Sequence, residues 1–458
     1  MGALFVVLFG AGLFAISQDG HPLSIVDEHI HFDTAAKATH GEIPYRGSLL
    51  GPELIDEWAC GVGHEAGATS LPCGDSNLSA DSIPSGRYST GYIHYPTFFF
   101  AAAGFQGLWE AVTADSSLLN GFRAFSALLM TLGVIVAGAF AWLLGLRGAR
   151  LISVSALPVA SSMMVVTGIA VNPTSASVLT GALVAGTGLL WLKRDRGFVW
   201  FALAVAVSSA VAVTSSLPAG GFLIAMLVVL AGRRRWPELG SGWNPRWWQL
   251  GVISALVLVP VLAWGRIISA RATIGNDVLY GFIPPAGKRD IIAGAIQELA
   301  TLHTPWRETM GIRADADTFP SRVVQAFSFG GPTWITALVF GGLVVIIVLA
   351  IGSRSVSPSG ERATEIDSAR TRESWQSPLL LIVIGTLATV VLYPPALRLM
   401  NWLNFGFDHP IVERYSSALA PLLAFLIVML VRNVVFSRSL AVIAVLVALG
   451  TVAGAGSL

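Results

Sequence analysis

Residues 333–352 read TWITALVFGGLVVIIVLAIG, twenty consecutive positions without a charge. At 1.5 Å per residue a helix of about 20 residues crosses the roughly 30 Å hydrocarbon core of a bilayer, whereas a soluble strand or helix rarely needs so long an uninterrupted apolar run. Trp247–Trp264 and Leu379–Leu392 are equally free of charge. Working outward, the 458 residues are 54% hydrophobic and only 12% charged, with a mean hydropathy of +0.69. Soluble chains carry about twice that charged fraction. The reading is an all-α membrane protein with about eleven transmembrane helices, over 2–17, 118–146, 151–170, 174–192, 198–213, 217–232, 249–264, 333–352, 378–393, 414–431 and 439–456. Ser215, Ser216 and Pro218 are the only break between the two apolar runs from 198 to 232.

Short cytoplasmic loops are enriched in Lys and Arg, which orients the chain. With the N-terminus inside, those loops hold Arg147 and Arg150; Lys193, Arg194 and Arg196; Arg233, Arg234, Arg235 and Arg246; Arg354, Arg362, Arg370 and Arg372; and Arg432 and Arg438. The opposite connections at Asn172-Pro173 and Leu217-Pro218 carry no basic residue. The organisation that follows is a first helix or signal-like segment (1–17), a long extracytoplasmic loop with interfacial helices (18–117), helices two to seven (118–264), a second extracytoplasmic loop (265–332) and helices eight to eleven (333–458). Residues 353–377, rich in Ser, Arg and Glu, read as a solvated mobile linker. Ala15-Ile16-Ser17 resembles a small-residue cleavage site, but no Lys or Arg precedes the apolar run, which favours an anchor. The net charge of +1 gives no reason to expect a nucleic-acid partner, and the near absence of lysine hints at a high-GC bacterial genome and an inner (plasma) membrane.

Polar chemistry concentrates in the external loops. Cys60 and Cys73, the only cysteines, both fall in the first one, where an oxidising compartment makes a disulfide the leading reading. Just after the first span come Asp27, Glu28, His29, His31 and Asp33. On a helix Asp27 and His31 share one face, His29 and Asp33 the next. Such a cluster can supply a general base, or ligands for a divalent metal. The competing reading is helix capping, with Ser24 as N-cap and the two acids facing the positive end of the helix dipole. It explains the acids but not the histidines. Farther on, His94-Tyr95-Pro96 leads into an aromatic stretch suited to an interfacial helix. The second external loop holds Lys288, Arg289, Asp290, His303, Arg307, Glu308 and Arg313, and the third ends Asp408-His409-Pro410-Ile411-Val412-Glu413-Arg414-Tyr415. An arginine at the start of a span either snorkels to the interface or binds phosphate through its planar fork.

In order along the chain, these features resemble the GT-C class of integral-membrane glycosyltransferases, which use polyprenyl-phosphate sugars. The acidic pair Asp27-Glu28 with His31 behind it opens the first external loop. His94-Tyr95-Pro96 is similar to the class's His-Pro-Pro-Leu-Tyr-type segment, with Tyr95 in place of the first Pro. Arg123 in the next span, Asn172-Pro173, and Arg414-Tyr415 leading to Pro421 complete the pattern. The resemblance implies an external active site fed by a polyprenyl-phosphate sugar donor and a glycan or lipid acceptor. Asp27 would be the general base with Glu28 as understudy, Arg414, Tyr415, Lys288 and Arg289 the donor-phosphate contacts, and His29, His31 and His94 substrate contacts. No cytoplasmic loop is long enough for a nucleotide-binding domain and no Gly-rich phosphate loop occurs. A transporter or flippase is the rival reading, but the spans are nearly free of mid-membrane charge and show no internal repeat.

The orientation is open to a direct check. Cysteines placed at Ser85 and Thr318 are expected to react with impermeant thiol reagents in intact cells, and one at Ser357 is not; labelling at Ser357 would invert the topology.

Overall fold

The computed structural model describes residues 2–23, 27–67, 69, 71–193, 197–237, 239–275, 286–300, 303–306, 319–352, 366–406, 408, 410–431 and 433–455; over 319–330, 350–352, 366–377 and at 405 the description is of the backbone alone. Ser24, Arg307, Glu308, Arg313 and His409 lie outside the described residues. The protein is all-α. Its helices are α1 (Gly2–Ser17), α2 (Glu28–Thr39), α3 (Pro52–Cys60), α4 (Pro96–Thr113), α5 (Leu118–Leu143), α6 (Ala149–Ala156), α7 (Ser162–Ile169), α8 (Ser177–Lys193), α9 (Phe198–Val211), α10 (Leu217–Gly232), α11 (Trp247–Ala270), α12 (Lys288–Ala300), α13 (Phe319–Gly352), α14 (Ile366–Phe405), α15 (Leu419–Leu430) and α16 (Val434–Ala455). The only β feature among the described residues is an isolated bridge between Leu49 and Tyr88.

Each of the eleven expected spans coincides with helical structure. Among the described residues seven helical segments are long and apolar enough to cross a bilayer, or eight when the bent pair Ala149–Val159 and Ser162–Ile169 counts as one. The 198–232 stretch is two helices, α9 and α10, joined by a 3-10 turn at Val213–Ser216. The remaining expected spans, α1, α9 and α15, are apolar helices of 16, 14 and 12 residues. The chain is a multi-pass membrane protein.

The most buried span is also the least apolar. The segment Pro173–Lys193 has the lowest mean hydropathy of the seven, 1.5, and is 78% buried, whereas α11 has 2.0 and is 6% buried. A helix facing lipid must be apolar on all sides, while one surrounded by protein can carry small and hydroxyl residues that let backbones approach. Gly181 shows why. A Cβ there would collide with the carbonyl of Ala418, and at Gly186 and Gly188 it would enter the rings of Phe140 and Phe222.

Two corrections concern the loops. Residues 366–377, expected within a mobile linker, continue α14 as helix; 353–365 lie outside the described residues. Part of the 265–332 segment is buried against the bundle. α12 packs along α14, and Trp306 is fully buried in the bundle core. Pro158 and the turn Leu157–Val159 break the α6–α7 span by 69°. Trp306 Nε1–H donates to the Leu157 carbonyl at 2.7 Å, a second donor there beside the Ala160 amide at 3.2 Å. The first loop has its own core, built from α2, α3 and α4 against α5, with Phe32, Leu54, Phe98, Phe99 and Phe122 at its centre. α4 begins with Pro96 at its first position, where a missing N–H costs nothing.

Cys60, the last residue of α3, is bonded to Cys73, with Cα atoms 5.1 Å apart. Closing a loop of this size stabilises a fold by about 3 kcal/mol in the chain-entropy account. Intact mass under non-reducing conditions should be lower by two hydrogens than after reduction; two alkylatable thiols in the native protein would show the bond absent.

Candidate functional site

The site grows from the first turn of α2. Asp27 occupies the N-cap position in a left-handed conformation, φ 62° and ψ 19°. That region costs an L-residue about 1–2 kcal/mol and is tolerated best by Asn and Asp among non-glycines. An N-cap carboxylate normally accepts a backbone N–H of its own helix. The Asp27 side chain makes no such bond, so capping does not account for it. It turns instead to Arg414, whose Nη2 donates to Oδ2 at 3.0 Å across 387 residues of sequence. The Asp27 side chain is 58% exposed and that of Arg414 13%. Arg414 belongs to the 3-10 turn Glu413–Ser416 that precedes α15, and its guanidinium lies 5.7 Å from the ring centre of Tyr415.

Glu28, one residue on, has the opposite environment. It is completely buried. Arg123 of α5 donates Nε–H to Oε1 at 2.8 Å and Nη2–H to Oε2 at 3.0 Å, and the Val171 amide adds a third bond to Oε1 at 2.9 Å. Arg123 also donates to the carbonyls of His21 and Pro22. With both oxygens engaged and no solvent access, Glu28 is poorly placed to take a proton from a substrate. This environment suits a structural ion pair better than the understudy role, since three donors engage the two oxygens inside the protein.

The histidines divide. His31, buried on α2, meets His94 edge-on with ring centres 4.7 Å apart, and Phe99 packs against both. Burial holds His31 well below the ordinary histidine range, with His94, Arg414 and His29 lowering it further. Burial likewise pushes His94 down to about 4, opposed by Asp27 and assisted by Arg414. Both rings are thus neutral at physiological pH and act through hydrogen bonds and contact rather than charge. His31 Nδ1 has no hydrogen-bond partner among the described residues. His29 turns to Trp58, with ring centres 4.9 Å apart, and burial lowers it too. Asp33 is not in the cluster. Lys37 Nζ at 2.6 Å and the Gly51 amide at 2.6 Å hold it, so it fastens α2 to the 49–51 turn.

Lys288 and Arg289 open α12 and are exposed. Among the described residues no hydrogen bond or ion pair joins them to Asp27 or Arg414. No group of three His, Cys, Asp or Glu side chains among the described residues is placed to hold a metal. Beside His94 is a small, shallow cleft whose lining includes Thr34, Glu42, Tyr92, His94, Phe99 and Phe100. Tyr95 lies edge-on to Trp264, which donates Nε1–H to the Ile93 carbonyl at 3.2 Å and so ties α11 to this wall. Sequence reasoning did not single out Arg398 or Glu298, which form a second buried network. The available signal was an arginine within an apolar span, which demands a partner.

No family model matches the chain, and no curated protein matches it. Among solved structures it is similar to the crystal structure of ArnT from Cupriavidus metallidurans bound to undecaprenyl phosphate, with 14% identity and a TM-score of 0.40 over 99% of this chain and 76% of that one.

The two acids should separate experimentally. Removing one partner of a buried ion pair costs about 3–5 kcal/mol, so Glu28→Gln should lower thermal stability in detergent markedly. Asp27→Asn, losing an exposed pair worth roughly 0–1 kcal/mol, should leave it nearly unchanged. Equal melting temperatures for Glu28→Gln and the parent would show the buried pair to be dispensable.

Proposed function

We propose that the chain is an integral-membrane glycosyltransferase moving a sugar from a polyprenyl-phosphate donor to a glycan or lipid acceptor on the extracytoplasmic side of a bacterial inner membrane. The observation that carries this reading is the Asp27–Arg414 pair: a half-exposed carboxylate facing a guanidinium at the start of a span, with two uncharged imidazoles alongside. A lipid-linked donor presents its phosphate at that level. The order of Asp27-Glu28, His94-Tyr95-Pro96, Arg123 and Arg414-Tyr415 along the chain supports the same reading through its resemblance to the GT-C class.

The chemistry follows from the partners. Because the pair is weak, a donor phosphate can displace Asp27 from Arg414, since a guanidinium binds phosphate through the same fork that binds carboxylate. Asp27, released, accepts the proton of the acceptor hydroxyl as that oxygen attacks the anomeric carbon. The bond between that carbon and the phosphate oxygen breaks, with inversion, and the electron pair leaves on the polyprenyl phosphate. Arg414 stabilises the charge developing there. His31 and His94, neutral, are suited to orient sugar hydroxyls without competing for the proton. Lys288 and Arg289 are further candidate phosphate contacts. A divalent metal is not required by any step.

Transfer from a synthetic polyprenyl-phosphate sugar by purified variants is the test. A positioned base contributes roughly 10²–10⁴-fold, so Asp27→Asn should lose that much turnover while remaining folded. Arg414→Ala should raise the donor KM, because the phosphate contact already acts in the ground state, and lower kcat, because that contact strengthens as charge develops on the leaving phosphate. Near-normal turnover in Asp27→Asn would remove it from the reaction.

A further inference from the structure

Glu298, His303, Arg398 and Asp408 form a buried polar network apart from the site just described. Arg398, in the last third of α14, has a side chain only 6% exposed, and those of Glu298 and His303 are 5% and 4% exposed. The Arg398 guanidinium faces two ways. Nε and Nη2 donate to the two oxygens of Asp408 at 2.5 and 2.6 Å. Nη1 donates to Glu298 Oε1 at 2.8 Å and to the Gly294 carbonyl at 3.1 Å, both on α12. Glu298 Oε1 also accepts the amide of Ile411 at 3.1 Å, and Oε2 lies 2.6 Å from His303 Nε2. Gly294 is required by this contact, because a Cβ there would enter the guanidinium. Trp402 Nε1–H to the Ala286 carbonyl, 3.0 Å, fastens the other end of α12 to α14.

The chain passes from this network straight into the candidate site. Asp408 and the Ile411 amide are held, and Arg414 follows three residues later in the 3-10 turn. α12, which Arg398 holds from its other side, begins with Lys288 and Arg289. We propose that Arg398 is a positioning residue: through Asp408 and Glu298 it fixes the approach segment of Arg414 and holds α12 against the same helix, so that the donor phosphate meets a preset arginine. This rests on the reading of Arg414 as the phosphate contact. A bidentate pair holds Asp408 and a buried carboxylate holds the Ile411 amide, and preorganised charge is what makes phosphate stabilisation effective.

Asp408→Asn is the variant of choice, because Asp408 sits at the network's edge with a side chain 25% exposed and the change keeps its size. Hydrogen–deuterium exchange over residues 410–416 and affinity for polyprenyl phosphate alone are measured on the full chain in detergent, with transfer kinetics alongside. Exchange over 410–416 is expected to quicken, affinity to fall about tenfold, and donor KM to rise with kcat held within about twofold. In an Arg414→Ala background, Asp408→Asn should cause no further loss of affinity, since coupled residues do not add. Glu298→Gln, which breaks the charge but keeps an oxygen for the Ile411 amide, should weaken affinity while disturbing exchange less. Unchanged affinity in Asp408→Asn while Arg414→Ala loses it would overturn the inference, as would losses that simply add. Parent protein that binds no polyprenyl phosphate, with exchange still quickened in Asp408→Asn, would sink the donor reading and leave the clamp standing.

Discussion

The bidentate ion pair between Glu28 and Arg123 is the constraint on which the site depends. Both side chains are fully excluded from solvent, and four separate stretches meet at them: α2, α5, the His21-Pro22 connection and Val171 ahead of the Asn172-Pro173 turn. In a low-dielectric interior an unmatched charge costs far more than a matched pair returns. The arrangement is therefore intolerant of small displacements, and that intolerance fixes where α2 starts. Asp27 is the residue immediately before the locked one.

Two neighbouring acids thus have opposite fates. Had Asp27 continued the helix, its side chain would have stood about 100° around the axis from Glu28. The left-handed turn at Asp27 takes it out of the helix, and its side chain is 58% exposed. The strain is modest for an aspartate, and the anchor next to it holds the turn in place. Arg414 arrives from the far end of the chain on a segment held by a second buried guanidinium, Arg398. One arginine–carboxylate network places Asp27, the other its partner Arg414.

Much of this was legible in sequence, and the rest was not for identifiable reasons. Long uncharged runs marked the spans because lipid forces apolarity on every face of an exposed helix such as α11. The same logic reads a protein-enclosed helix less clearly, since Pro173–Lys193 is buried by small residues rather than by hydropathy. Asp27, His31, His94 and Arg414 stood out as costly residue types at a membrane boundary, and the fold gathers them. Glu28 stood out for the same reason, but its role depends on an arginine 95 residues away and no local pattern encodes that pairing. Trp306 read as part of an external loop because its partner lies elsewhere in the chain, at Leu157. The helix at 366–377 was masked by a polar composition that resembles a linker.

The proposed transfer from a charged lipid asks a site to be fixed in position and yet exchangeable in partner, and the two demands would fall on different pairs. A pair as buried as Glu28–Arg123 could not be opened by an incoming phosphate, because the displaced carboxylate would be left unpaired in a medium that cannot solvate it. The Asp27–Arg414 pair can be opened, since water reaches the aspartate with or without the arginine. The imidazoles of His31 and His94 complete the division: burial keeps them uncharged, so neither competes with Arg414 for an anion nor with Asp27 for a proton. Rigidity comes from charges sealed away from water, and the one carboxylate of the acidic pair left in contact with it is the one proposed to react.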